Sequence, residues 1–107
     1  MFKGYKVITL CGNTRFKEDF ERINKELTLA DNIVLSVGCF GHAGDTLTDS
    51  QKLMLDIMHK RKIDMSDAIY VINKNGYLGS STKLEIAYAE TMGKEVIYME
   101  DGLNGEN

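Results

Sequence analysis

A glycine and hydroxyl segment in the last third of the chain leads directly to a carboxylate, Glu85. Gly79, Ser80 and Ser81 offer small side chains, hydroxyls and backbone N–H groups, which suit a phosphate or sugar hydroxyls where they open a helix. We expect Glu85 in the first turn of that helix, just past a strand, where a carboxylate is placed to attack a bound ligand. The same residues also match a capping box, in which Thr82 caps the helix and Glu85 reaches back to its backbone.

Two cations are expected close to helix starts. Arg15 and Lys83 each fall in a predicted first helical turn, where the helix dipole disfavours a positive charge by about 0.3–1 kcal/mol. A bound anion would offset that cost. The alternative is that both side chains extend into water.

Apolar runs alternate with amphipathic segments along the chain, which predicts repeated strand–helix units. Strands are expected at residues 6–11, 32–37, 68–72 and 95–99. The first helix carries Phe16, Phe20, Ile23 and Leu27, and the second is opened by Thr48 and Asp49. The third runs from the 76–82 loop to about Met92 and stops at Gly93, which suits a left-handed C-terminal position.

Such alternation predicts a three-layer α/β domain of the flavodoxin or Rossmann-like kind, with a four-stranded parallel sheet covered on both faces. We expect the strand order 2-1-3-4, which places a topological switch between strands 1 and 3. Ligands bind at the carboxyl edge of such sheets, where the loops 12–16, 38–46 and 73–85 should meet. One domain is expected over residues 1–100, followed by a mobile polar tail over 101–107.

Composition narrows the class of protein. The chain has 107 residues, 43% hydrophobic and 27% charged, with a net charge of −3. No basic stripe is present, which argues against a nucleic-acid polymer as partner. Because a small sheet gains from a partner subunit, a homo-oligomer is expected. No apolar run reaches the ~20 residues of a membrane span. Cys11 and Cys39 form no Cys-x-x-Cys motif, so a reduced cytoplasm is expected. Both cysteines are expected to face the core.

Several familiar chemistries are disfavoured. The 12–16 loop matches neither a dinucleotide fingerprint nor a glycine-lysine nucleotide loop. The ends of strands 1 and 3 lack the carboxylates of a phospho-relay receiver. His42 and His59 are the only histidines, and no metal-ligand spacing stands out. We therefore expect no cofactor and no metal.

Three segments resemble the nucleoside 2-deoxyribosyltransferase-like family. They read Thr-Leu-Cys-Gly-Asn-Thr-Arg-Phe at 9–16, Asp-Ala-Ile-Tyr-Val-Ile at 67–72, and Gly-Ser-Ser-Thr-Lys-Leu-Glu-Ile-Ala-Tyr-Ala at 79–89, followed by Gly93 and Lys94. The resemblance covers nearly the whole chain and looks closest to a short branch whose relatives include 2′-deoxynucleoside 5′-monophosphate N-glycosidases. A nucleoside or nucleotide is therefore the expected partner.

The resemblance implies that Glu85 is the nucleophile that attacks C1′ of the deoxyribose, expels the base and forms a glycosyl-enzyme ester. Transfer to another base gives a transferase, and capture by water gives a hydrolase. In phosphate-preferring relatives the loop before the nucleophile holds the 5′-phosphate, a role that falls here on Gly79, Ser80 and Ser81. We infer separately that Arg15 would add positive charge to the same phosphate, as would Lys83.

The first two loops supply the other expected substrate-binding residues: Gly12, Asn13, Thr14 and His42. His42 would cover the ligand from the 38–44 loop. The alternative is a surface-loop histidine without a role.

The chain departs from the family pattern at the residue that handles the leaving base. The family has an aspartate eight positions before the residue matching Asp67, and His59 occupies that position here. Asp56 and Asp64 lie near, but neither matches. An ordinary histidine pKa of ~6.5 would let His59 act as acid or base at neutral pH. The alternative is a partly exposed histidine near a helix end, where the dipole favours it.

Two functions follow from these patterns. The first is an N-glycosidase or deoxyribosyltransferase that uses Glu85 and His59. The second is a non-catalytic nucleotide-binding sensor or accessory module, because the acid that helps the base leave has been replaced.

Overall fold

A computed structural model describes residues 4–101 of the chain, with strands and helices in strict alternation. The strands are β1 (Lys6–Gly12), β2 (Asn32–Leu35), β3 (Ala68–Ile72) and β4 (Glu95–Tyr98). The helices are α1 (Lys17–Leu29), α2 (Asp49–Asp64) and α3 (Ser80–Thr91), with short 3-10 turns at Gly41–Ala43 and Lys74–Gly76. Within the described range, no helix is long and apolar enough to cross a membrane.

The four strands form one parallel sheet in the order β2-β1-β3-β4, which confirms the predicted α/β class and strand order. Cys11 of β1 pairs with Val71, and Gly12 pairs with Ile72. The carboxyl ends of β1 and β3 are therefore level with each other at the topological switch point. This is the edge at which ligands bind in open α/β sheets.

The sheet is covered on both faces, because successive residues of a strand point in opposite directions. Leu10 packs with the α1 residues Phe20 and Ile23 on one face. Cys11 packs on the other face with Ile63 of α2 and Ile86 of α3. The alternation within β1 thus directs Cys11 toward the two helices that border the carboxyl edge.

Several element boundaries differ from the predicted ones. β2 ends at Leu35 and β4 at Tyr98, each shorter than predicted. α2 is capped by Thr48 in a capping box with Gln51, which agrees with the predicted start. Gly93 follows α3 with a φ of +74° and confirms the predicted stop. The polar tail was predicted over 101–107, and its residues 102–107 lie outside the described residues.

Gly12 is expected to tolerate no side chain at the end of β1. A Cβ there would lie 3.0 Å from the Ile72 carbonyl oxygen and 3.1 Å from Ile72 Cβ, at a φ of +156°. Gly12→Ala should therefore lower the free energy of unfolding, measured by urea denaturation, by about 1–3 kcal/mol through overpacking. Gly38→Ala is the matched control, because its Cβ would meet nothing within 4 Å. Equal stability of the two variants would contradict this packing.

Candidate functional site

A cleft of about 340 Å³ opens at the carboxyl edge of the sheet, between the three loops and α2. Pockets that take small ligands begin at about this size. Eight of the ten residues predicted from the sequence line it: Gly12, Asn13, Thr14, His42, His59, Gly79, Ser80 and Ser81. Arg15 and Glu85 are not part of the lining.

Two of the loops are fastened to each other at the mouth of the cleft. The Asn13 side-chain oxygen accepts the backbone N–H of Arg15 at 2.9 Å, which fixes a tight turn after β1. Thr14 Oγ1 accepts the backbone N–H of His42 at 3.1 Å. Asn13 and Thr14 therefore act on the loop backbone as well as lining the cleft.

The expected position of Arg15 is wrong. Arg15 precedes α1, which begins at Lys17, and its guanidinium lies 4.3 Å from the centre of the Tyr77 ring and 5.0 Å from that of Phe16. A cation is attracted to the faces of aromatic rings, so the guanidinium stacks against them outside the cleft lining. Tyr77 in turn packs on Gly79, where an added Cβ would lie 3.3 Å from the Tyr77 hydroxyl.

The start of α3 faces the cleft with unoccupied backbone donors. Gly79 is the N-cap, no side chain caps the helix, and the first turn holds no acidic residue. The first helical hydrogen bond runs from the Lys83 N–H to the Gly79 carbonyl at 3.0 Å. The N–H groups of Ser80 and Ser81 precede it, so the positive end of the helix dipole is directed at the cleft. Lys83 itself is exposed in the fourth position of the helix, outside the cleft lining.

Glu85 is the sixth residue of α3 and lies in its second turn. The capping-box interpretation is wrong, because the helix begins at Ser80, two residues before Thr82. Side chains lean toward the N-terminus of a helix, so Glu85 extends over the turn that holds Ser81 and Thr82. Burial raises the pKa of Glu85 to about 7, although a hydrogen bond from Cys11 lowers it and nearby Asp56 raises it further.

Cys11, His59 and Glu85 form a cluster below the cleft. The cysteine sulfur, a histidine ring nitrogen and a carboxylate oxygen all lie within 4.8 Å of one another. Cys11 Sγ is 3.5 Å from His59 Nε2. Because Cys11 is fully buried and faces the Glu85 carboxylate, the pKa of its thiol lies well above the ordinary value.

His59 is buried, with 7% of its surface exposed, so the interpretation as a partly exposed histidine is wrong. Burial lowers its pKa to about 4, nearby Lys62 lowers it further, and a hydrogen bond with the Leu10 backbone raises it. The ring is therefore neutral at pH 7. That differs from the near-neutral pKa expected from the sequence for an acid that protonates the base.

Sequence reasoning missed further cleft residues on α2. Lys52 and Asp56 line the cleft together with the predicted His59, and their spacing of four and three residues places the three on one helix face. This helical spacing is the feature of the sequence from which the two residues could have been predicted. Asp64 is directed elsewhere, toward the Tyr88 hydroxyl and Arg61.

The two cysteines also differ from expectation. Cys11 packs in the core as expected, but it also lies against the ionisable side chains of His59 and Glu85. Cys39 is partly exposed and lines the cleft, so the expectation that it faces the core is wrong. A cysteine in an apolar strand gives no sign in the sequence of the groups that it will meet.

The sequence matches no model of a known protein family and no curated protein. The resemblance to the nucleoside 2-deoxyribosyltransferase-like family therefore stays a prediction.

The raised pKa of Glu85 predicts how stability depends on pH. The unfolded carboxyl ionises near pH 4.5 and the folded one near pH 7, so the folded state favours the protonated form. Its stabilising contribution is complete below about pH 4.5 and is lost as pH rises through 7. Glu85→Gln cannot ionise and should gain about 2–3 kcal/mol relative to wild type between pH 5 and pH 8.

Denaturant unfolding at each pH measures this difference. Glu90→Gln, at an exposed position of the same helix, is the control and should follow wild type at every pH. A Glu85→Gln curve that runs parallel to wild type would contradict a desolvated carboxyl, because the His59 contribution is common to both proteins.

Proposed function

We propose that the protein cleaves or transfers the N-glycosidic bond of a 2′-deoxynucleoside or its 5′-monophosphate, with Glu85 as nucleophile. One observation carries the proposal: a desolvated carboxylate lies one turn below an uncapped helix N-terminus that faces a cleft of ligand size. The sequence resemblance to the nucleoside 2-deoxyribosyltransferase-like family supports the same chemistry.

The length of one helical turn matches the size of a nucleotide substrate. A 5′-phosphate at the N–H groups of Ser80 and Ser81 would use the positive end of the dipole. Four residues of helix rise by about 6 Å, which is comparable to the distance from the phosphate of a nucleotide across its sugar to C1′. A phosphate at Ser81 would therefore bring C1′ toward the level of Glu85.

The chemistry proceeds by displacement at C1′. The ionised Glu85 oxygen forms a bond to C1′ while the C1′–N bond breaks, and the base leaves with the electron pair and takes a proton from solvent in the open cleft. Water or a second base then attacks C1′ and releases the carboxylate. His59 is neutral at pH 7, so it forms no ion pair that would hold Glu85 back from attack.

A nucleotide-binding sensor or accessory module is the second candidate. The Glu85 carboxylate lies within 4.8 Å of Cys11 Sγ and Glu85 does not form part of the cleft lining, which favours binding without turnover. Either function takes a small nucleoside or nucleotide as partner.

We also propose that the protein forms a homo-oligomer in the cytoplasm. Leu53 and Ile57 of α2 are 63% and 52% exposed. Burying such apolar side chains against a second copy of the chain would stabilise an assembly.

Glu85→Gln should abolish base release while keeping the shape of the side chain. We expect the wild-type rate to rise as pH increases through about 7, because attack needs the ionised carboxylate, and the variant rate to fall by about 1,000-fold or more. Chromatography of the released base, over a panel of deoxynucleosides and their 5′-monophosphates with and without an acceptor base, measures both. Glu90→Gln is the control. Equal inertness of wild type and Glu85→Gln would reject the enzyme, and tight nucleotide binding without turnover would favour the binding module.

Ser81→Asp should weaken the use of phosphorylated substrates selectively. A carboxylate at the second helix position repels a phosphate at the same N–H groups but suits the helix dipole, so folding is kept. KM for the 5′-monophosphate should rise about tenfold or more, with KM for the unphosphorylated nucleoside unchanged. Thr91→Asp places the same charge at the far end of α3 and should change neither. Equal effects on both substrates would contradict a phosphate at this helix end.

A further inference from the structure

Three ligand-type side chains converge beneath the cleft from three separate elements. Cys11 comes from the end of β1, His59 from the middle of α2 and Glu85 from the second turn of α3. Their sulfur, nitrogen and oxygen atoms lie within 4.8 Å of one another. Each residue sits on a regular element packed against the sheet, so the three atoms are held together before any ligand binds.

We propose that Cys11, His59 and Glu85 bind one divalent transition-metal ion, with Zn²⁺ as the best match. Sulfur, imidazole nitrogen and carboxylate oxygen together form a donor set that Zn²⁺ accepts. The softer sulfur and nitrogen ligands disfavour Mg²⁺ and Ca²⁺, which take oxygen ligands. The sequence predicted no metal, because 48 residues separate Cys11 from His59 and no short motif links them.

The observed spacing fits a tetrahedral ion. Zn–S and Zn–N bonds of about 2.3 and 2.0 Å at a tetrahedral angle set the sulfur and nitrogen about 3.5 Å apart. Cys11 Sγ and His59 Nε2 are 3.5 Å apart. The Glu85 oxygen lies within 4.8 Å of both, and rotation about its broad terminal torsion brings a carboxylate oxygen closer.

Charge balance also favours a dication at this buried position. The thiolate and the carboxylate carry two negative charges, and the neutral imidazole carries none, so one M²⁺ ion gives a neutral complex. A neutral complex avoids the large cost of an uncompensated buried charge. On binding, the protons of the Cys11 thiol and of any protonated Glu85 carboxyl pass to solvent.

The surroundings of His59 resemble the support that a metal-bound histidine needs. The Leu10 backbone acts on its ring strongly enough to raise the pKa of His59, while Nε2 faces Cys11. A backbone carbonyl is one of the groups that fix the ring orientation of metal-ligating histidines. Because His59 lines the cleft, an ion enters from that side, and three protein ligands leave one position for solvent or a ligand from the cleft.

Metal binding and glycosidic chemistry would compete for one carboxylate. An ion on Glu85 takes up the electron pair that attacks C1′, so Zn²⁺ should inhibit base release reversibly. The metal proposal does not rest on that activity, because the three ligands and their spacing are independent of any substrate.

Titration of the metal-free, full-length protein tests the proposal without substrate. Zn²⁺ is titrated against a chromophoric chelator, and Co²⁺ is added separately to record the thiolate-to-cobalt charge-transfer absorption. We expect one ion per chain. Cys11→Ser should abolish the charge-transfer band, and Cys11→Ser, His59→Gln and Glu85→Gln should each weaken Zn²⁺ binding by more than about 100-fold, beyond the usual effect of outer-shell changes.

The chain supplies its own matched controls. Cys39→Ser and His42→Gln remove the other cysteine and the other histidine, both of which line the cleft, and should leave Zn²⁺ affinity unchanged. Glu85→Gln keeps the side-chain shape and loses only the anion, and circular dichroism checks that it folds. No binding at micromolar Zn²⁺, or loss of binding in the Cys39 and His42 variants instead, would overturn the site.

The two proposals fail separately. A protein that binds Zn²⁺ at this site but releases no base contradicts only the glycosidic function. An enzyme that releases base through Glu85 but binds no Zn²⁺ contradicts only the metal site.

Discussion

Removal of the Glu85 carboxyl from water, where β1, α2 and α3 meet, is the constraint on which the site depends. An ionised carboxylate is costly in such a place unless it is hydrogen-bonded or paired. The nearby Cys11 thiol lowers the pKa of Glu85, but the effect of burial is larger and the pKa lies near 7. The same burial keeps His59 neutral. Glu85 is therefore partly protonated at neutral pH, where a carboxyl group in solution would be ionised, while His59 stays neutral well below pH 6.5.

The fold places Glu85 and the backbone N–H groups at the start of α3 on one helix. The order of strands places the end of β1 beside β3, and alternation along β1 directs Cys11 toward α2 and α3. α3 then carries free backbone donors at its start and Glu85 one turn later. These donors above Glu85 would suit the phosphorylated sugar of the proposed function, while the cluster alone would suit the proposed dication.

Much of the fold followed from the sequence, because apolar runs that alternate with amphipathic helices leave few topologies for a small parallel sheet. The three loops that line the cleft were predicted as well, because they follow the carboxyl ends of the parallel strands. The start of α3 did not: Thr82 and Glu85 match a cap, but Gly79 lies in extended backbone and begins the helix earlier. Arg15 was misplaced because its aromatic partner Tyr77 is remote in sequence. The cluster was missed because the apolar strand around Cys11 marks it as a core residue.

Identification of the covalent intermediate shows directly whether Glu85 attacks C1′. The wild-type protein is mixed with a 2′-deoxynucleoside 5′-monophosphate, or with its 2′-fluoro analogue to slow breakdown of the ester, quenched in acid, digested and analysed by mass spectrometry. Base should be released, and the sugar phosphate should be attached to the peptide containing Glu85. Base release with the sugar on another residue, or on none when the analogue is used, would contradict Glu85 as the nucleophile.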